Sequence, residues 1–144
     1  MPPVPVYYYS SVSNLTGRFA AALARDGREV RSLADAEVRR SEPDGPWVLL
    51  TPSYKAGNRD QVTLPAPVRA FLRSPVTRRR LVGIIGSGNR NFGEFYQAAA
   101  RELSRASGRP VLFEFELSGT PEDLERCEDI LESLDAALAG RAVT

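Results

Sequence analysis

The sequence has no histidine and one cysteine, Cys127, in 144 residues. Those absences remove the commonest catalytic base and metal ligand, and with them any internal disulfide. Ser-His-Asp hydrolysis and histidine-bearing zinc sites are excluded. Charge of one sign is also lacking: 19 basic against 18 acidic residues leave a formal net charge of +1, so there is no general basic field for nucleic acid or an anionic membrane. No apolar run approaches the length of a membrane span. The opening Met1-Pro2-Pro3-Val4-Pro5-Val6 carries no positive region ahead of its apolar residues. A soluble, cytoplasmic protein is expected, with neither nucleic acid nor membrane as partner. The length suits one domain, 1–144, large enough for a core without disulfides or metals.

What the chain does have is alternation. Apolar, β-rich runs occupy residues 4–9, 47–51, 81–86 and 111–117, with a weaker run at 28–33, each beside a turn signal. Between them lie residues at helical spacing: Phe19, Ala22 and Leu23; Val68, Phe71 and Leu72; Phe95, Ala99 and Leu103; then Leu124, Cys127, Leu131, Leu134 and Leu138. The last of these helices is well started, with Thr120 as N-cap, Pro121 at the first helical position and Asp123 in the first turn. Five strands interleaved with four helices predict an α/β fold, a doubly wound five-stranded parallel sheet with helices on both faces. A first strand followed at once by a loop suited to an anion points to the flavodoxin-like order 2-1-3-4-5.

That first loop, Ser10-Ser11-Val12-Ser13-Asn14-Leu15-Thr16, joins a strand to a helix start. Unpaired backbone N–H groups at a helix N-terminus, with hydroxyls around them, make an anion cradle that needs no Lys or Arg. An ordinary hydroxyl-capped turn would read the same way. The Walker A loop is excluded, because no Gly-Lys-Ser/Thr ends the segment, and so is the dinucleotide fingerprint, because Gly17 is its only glycine. The fold then requires the loops after the third and fourth strands to be specialised. One is Pro52-Ser53-Tyr54-Lys55-Ala56-Gly57-Asn58-Arg59-Asp60-Gln61, too long for a connector. The other, Gly86-Ser87-Gly88-Asn89-Arg90-Asn91-Phe92-Gly93, is rich in residues that tolerate positive φ and admit a flat ligand. Three such loops on one sheet edge fit flavin mononucleotide (FMN) better than a bare phosphate.

Each residue also has a plainer reading. Tyr54 either stacks on a flavin ring or closes its loop against the core, and Phe92 either does the same or anchors the next helix. Asn89 and Asn91 suit left-handed turn positions as well as flavin contact, and Lys55 is either solvated or beside the ring. Cys127 lies on an apolar stripe and reads as a buried structural thiol. Arg78-Arg79-Arg80 reads as a solvated turn at the amino end of a strand, and the acidic face of the last helix as an aid to solubility.

The segments YYYSSVSNLTGRF, TPSYKAG, GIIGSGNRNFGE and FEFELSGTPEDLE, in this order and spacing, resemble the NrdI family, flavodoxin-like proteins that serve class Ib ribonucleotide reductases. The resemblance covers almost the whole chain. It implies a protein that binds FMN and takes electrons from a flavodoxin-type reductase or another donor. Its reduced flavin would supply superoxide or peroxide for assembly of the dimanganese-tyrosyl radical cofactor in the reductase small subunit. Phosphate binding would fall to Ser10, Ser11, Ser13 and Thr16. Where the family has Asn in this loop the chain has Leu15, with Asn14 one step earlier; where the family often has a Gly-Gly-Gly run it has Lys55-Ala56-Gly57. The expected cofactor-binding set comprises these residues with Asn14, Ser53, Tyr54, Lys55, Ala56, Gly57, Ser87, Gly88, Asn89, Asn91, Phe92 and Gly93. No catalytic acid, base or nucleophile and no metal ligand is expected. A small NAD(P)H-dependent flavin or quinone reductase, and an electron-transfer flavodoxin, share the fold. A cofactor-free receiver domain also does, but it would place acidic residues where this chain has Tyr9, Ser10 and Ser11.

Overall fold

Along strand β3, Trp47–Pro52, successive side chains point to opposite faces, and Trp47, Val48, Leu49 and Leu50 are all fully buried. A strand with no polar face has to be covered on both sides. A computed structural model of the chain, which describes residues 2–10, 14–52, 64–88 and 98–143, has this arrangement. Strands β1 (Val6–Tyr8), β2 (Val30–Ser32), β3, β4 (Leu81–Gly88) and β5 (Val111–Glu116) form one parallel sheet in the order β2-β1-β3-β4-β5. Helices α1 (Leu15–Leu23) and α6 (Pro121–Val143) cover one face. There Val6, Val48, Leu50 and Ile85 meet Phe19, Leu23, Cys127 and Leu131. Helices α3 (Ala66–Phe71) and α5 (Ala98–Ser107) cover the other, where Tyr7, Trp47, Leu49 and Ile84 meet Val68, Phe71 and Ala100.

Trp47 is the centre of the second core. Its indole N–H donates to the Thr77 carbonyl at 2.8 Å, and its ring meets Tyr7 and Phe71 edge-on with centroids 5.4 and 5.1 Å apart. These edge-to-face contacts suit the ring quadrupoles. On the opposite face, Arg28 pins the start of β1 to α6. Its guanidinium donates to the Val4 carbonyl at 2.9 Å and to both carboxylate oxygens of Asp135 at 3.2 and 2.9 Å, and Asp135 also accepts from the Val4 amide at 2.8 Å. Asp135 is therefore structural, not merely one more solvating charge.

Two short helices are additional to the four expected. In α2 (Ala36–Arg40), Asp35 caps the first turn by accepting from the Glu37 amide at 2.9 Å. In α4 (Pro75–Arg80), Ser74 caps and Pro75 begins the helix. The basic run is thus the last turn of a helix, not a solvated turn. Arg78 donates to the carbonyls of Leu72 and Arg73 at 2.9 and 3.0 Å, and Arg80 donates to the Pro43 carbonyl. Guanidinium groups at a helix C-terminus also complement its dipole. At the start of α6 the expected cap is present as a reciprocal pair. Thr120 Oγ1 accepts from the Asp123 amide at 3.0 Å, and Asp123 Oδ2 accepts from the Thr120 amide at 2.9 Å.

Candidate functional site

Because all five strands run parallel, their carboxyl ends share one edge, and β1 and β3 flank the point where the strand order reverses. Helix α1 starts at that point. Its N-cap, Asn14, has a left-handed backbone, φ 56°, and makes no side-chain cap bond. No acidic residue lies in the first turn, so nothing there offsets the positive end of the helix dipole. Ser10 Oγ, at the end of the β1 segment, accepts from the Gly17 amide at 2.9 Å, which leaves the Ser10 hydroxyl proton free to donate outward. A Cβ at Gly17 would stand 2.0 Å from Asn14 Oδ1, so a larger residue there would make the Asn14 side chain turn away.

Thr16 reaches across the sheet. Its Oγ1 lies 2.8 Å from Ser87 Oγ, and both residues are buried. Whichever hydroxyl donates, the other keeps a proton to give to a third group. Ser87 and Gly88 are strand residues, not loop residues as the sequence suggested: β4 continues through them, paired with Phe115 and Glu116. The Gly88 carbonyl accepts from the Leu117 amide at 2.8 Å. The structure therefore brings Ser10, Asn14, Thr16, Ser87 and Gly88 to one edge. Ser11, Ser13, Ser53, Tyr54, Lys55, Ala56, Gly57, Asn89, Asn91, Phe92 and Gly93 lie outside the described residues.

Leu117 is a feature that sequence reasoning missed. The apolar run 111–117 predicts it as the last residue of a strand, but its φ of 58° turns the chain into the β5–α6 connection, and its side chain is exposed. A left-handed backbone at a residue bearing a Cβ costs about 1 kcal/mol. The signal available in the sequence was the segment Leu117-Ser118-Gly119-Thr120 between a strand and a helix cap. Gly119 supplies the next left-handed step, φ 74°, and a Cβ there would stand 2.7 Å from Phe19 Cδ2.

Two open depressions of about 430 and 420 Å³ lie away from this edge. One is lined by Pro5, Glu29 and Pro46 and the other by Leu81 and Arg109, residues at the amino ends of the strands. Among the described residues no cluster of His, Cys, Asp or Glu could hold a metal ion, and no helix is long and apolar enough to cross a membrane.

The family model described as NrdI Flavodoxin like matches residues 6–129. The chain belongs to the NrdI family. Protein NrdI of Agrobacterium fabrum is 39% identical over 127 residues, covering 88% of this chain and 94% of that protein. Solved flavodoxins share the fold at much lower identity. A short-chain flavodoxin associated with a non-canonical PDU bacterial microcompartment aligns with a TM-score of 0.59 and 19% identity over 92% of this chain and 95% of its own. The Fusobacterium nucleatum flavodoxin bound to flavin mononucleotide aligns with a TM-score of 0.56 and 16% identity over 95% and 99%. Membership of the NrdI family thus agrees with the strand order, which is that of a flavodoxin-like sheet.

Proposed function

We propose that this chain binds FMN at the carboxyl edge of its sheet and serves a class Ib ribonucleotide reductase in the cytoplasm. In this reading a flavodoxin-type reductase or another donor reduces it, and it supplies superoxide or peroxide to the reductase small subunit for assembly of the dimanganese-tyrosyl radical cofactor. The observation that carries the reading is the NrdI family match along residues 6–129, joined to an α1 N-terminus with no acidic residue in its first turn. The flavin supplies the redox chemistry and the reactivity with oxygen. The chain's own residues bind and orient it. The Ser10 hydroxyl and the free proton of the Thr16–Ser87 pair are donors of the kind a phosphate dianion takes, each charge-assisted bond contributing about 1.5–3 kcal/mol. Ser11, Ser13 and Asn14 complete the proposed phosphate loop. Ser53, Tyr54, Lys55, Ala56 and Gly57, with Asn89, Asn91, Phe92 and Gly93, are the proposed contacts of the ring. No proton-transfer residue is required, in keeping with a sequence that has no histidine.

The test is reconstitution with FMN followed by visible absorption, then titration with the small subunit. A yellow protein that binds the small subunit and, once reduced, yields a tyrosyl radical signal from the manganese-loaded subunit in oxygen is the expected outcome. Protein that stays colourless in excess FMN would end the reading. Rapid reduction by NADPH without a donor protein would move it to a flavin or quinone reductase.

A further inference from the structure

The depression of about 420 Å³ at the amino ends of the strands is lined by side chains of two kinds. Leu72, Leu81, Leu103 and Ala106 make an aliphatic floor, and Arg78, Arg79 and Arg109 bring three guanidinium groups to it. Its described lining residues include no carboxylate and no aromatic ring. Arg78 is held in place: its Nη1 donates to the carbonyls of Leu72 and Arg73, at the C-terminal end of α3, at 2.9 and 3.0 Å. Its Nε and Nη2 make no hydrogen bond among the described residues, so the edge of the group that carries two parallel N–H donors is spare. That edge matches two oxygens of a carboxylate or phosphate, and a group already held loses little freedom in meeting them. Arg79 and Arg109 are exposed, and their side chains have no partner among the described residues.

We infer that this depression is a second binding site, for an amphiphilic anion: an aliphatic body lies on the leucine floor, and a carboxylate or phosphate head is taken by Arg78, with Arg79 and Arg109 adding charge. The lining sets the ligand class. Three cationic groups without a carboxylate select an anion. A floor without an aromatic ring offers no stacking surface to a nucleobase or a flavin, while its leucines suit an alkyl chain. The volume falls within the range of small-ligand pockets, about 300–1,000 Å³. The site is also distinct from the proposed cofactor edge. Leu81 opens β4 and Gly88 ends it, so the length of that strand, about 23 Å, separates the two. An anionic head on an alkyl body is common to a free amphiphile and to a lipid in a bilayer, and the experiment separates these sources.

Calorimetric titration of octyl phosphate, inorganic phosphate and octanol into the protein, with and without FMN, tests the site. Octyl phosphate should bind the parent in both cases, and inorganic phosphate and octanol, each lacking one half of the ligand, should bind at least about tenfold more weakly. The pair Arg79→Gln/Arg109→Gln should weaken octyl phosphate about tenfold or more while Tm stays within about 3 °C. Arg78→Lys keeps the charge and loses the fork, and should weaken it by a similar factor. If Arg78→Lys lowers Tm through its lost carbonyl bonds, the glutamine pair, which breaks no bond of the fold among the described residues, decides the matter. Failure of octyl phosphate to bind the parent, unchanged binding in the glutamine pair, or equal binding of inorganic phosphate overturns the site. Loss of octyl phosphate binding on addition of FMN overturns it too, because the amphiphile then occupies the cofactor cradle. Flotation with neutral vesicles and with vesicles containing phosphatidylglycerol identifies the source. Binding to the anionic vesicles alone, lost in the glutamine pair, supports the site with a bilayer as source; octyl phosphate binding without vesicle binding supports it with a free amphiphile.

Discussion

The thiol of Cys127, on α6, is fully buried in the core shared by α1, α6 and the sheet, and loss of water around the thiolate pushes its pKa from 9.0 up to about 12, against a smaller lowering by the Arg28 charge. The folded state therefore holds its proton to higher pH than the unfolded state does. Stability from this group is complete below about pH 9 and is lost as pH rises towards 12, with a slope of about 1.4 kcal/mol per unit. Urea titrations between pH 8.5 and 11, about that window, should show a shallower alkaline loss for Cys127→Ala than for the parent. Parallel curves would mean the thiol is already ionised in the fold. Thr77 presents the opposite case, a buried hydroxyl with no hydrogen-bond partner among the described residues. Desolvation without a bond costs about 1–3 kcal/mol, and valine has nearly the same shape. Thr77→Val should raise the urea midpoint without changing the m-value, and a lower midpoint would mean the hydroxyl is satisfied.

Two element junctions depend on carboxylates. Asp135 joins α6 to β1 through Arg28 and the Val4 amide, with side chains only 23% and 8% exposed for Asp135 and Arg28. Removing one partner of such a pair strands the other, at a cost of about 3 kcal/mol. Asp135→Asn should therefore lose more stability than the double variant Asp135→Leu/Arg28→Met, measured by chemical denaturation. Additive losses would show that the pair is not coupled. At the start of α6, Thr120→Ala removes a cap and should cost about 1 kcal/mol, read as a lower Tm. Neither α2 nor α4 was legible as an element. Each holds one large apolar residue, Val38 or Val76, so no apolar spacing can appear, and their stability comes from caps and arginine-to-carbonyl bonds.

At the scale of the whole molecule, a ligand that binds only the folded state adds stability by mass action. FMN at about a hundred times its Kd should contribute about 2.7 kcal/mol. Riboflavin, which lacks the phosphate, should raise Tm far less at the same concentration. Equal shifts would remove the phosphate cradle at α1 from the account, and with it the roles given to Ser10 and Thr16.

The periodicity of the apolar runs determined the five strands, and the two-sided burial of β3 determined that helices cover both faces, because a strand without a polar side has no other stable placement. The strand order, the switch point between β1 and β3 and the cap at Thr120 were legible for the same local reasons. Tertiary structure alone decided which distant residues meet. Thr16 and Ser87 are 71 positions apart and Arg28 and Asp135 are 107 apart, and only the sheet order that sets β1 between β2 and β3 brings such groups together. It alone decided the hand of Leu117 as well. Gly119 signals a turn nearby but not that Leu117 takes positive φ; the turn from β5 into α6 sets Gly119 against the ring of Phe19, a contact between segments far apart in the chain.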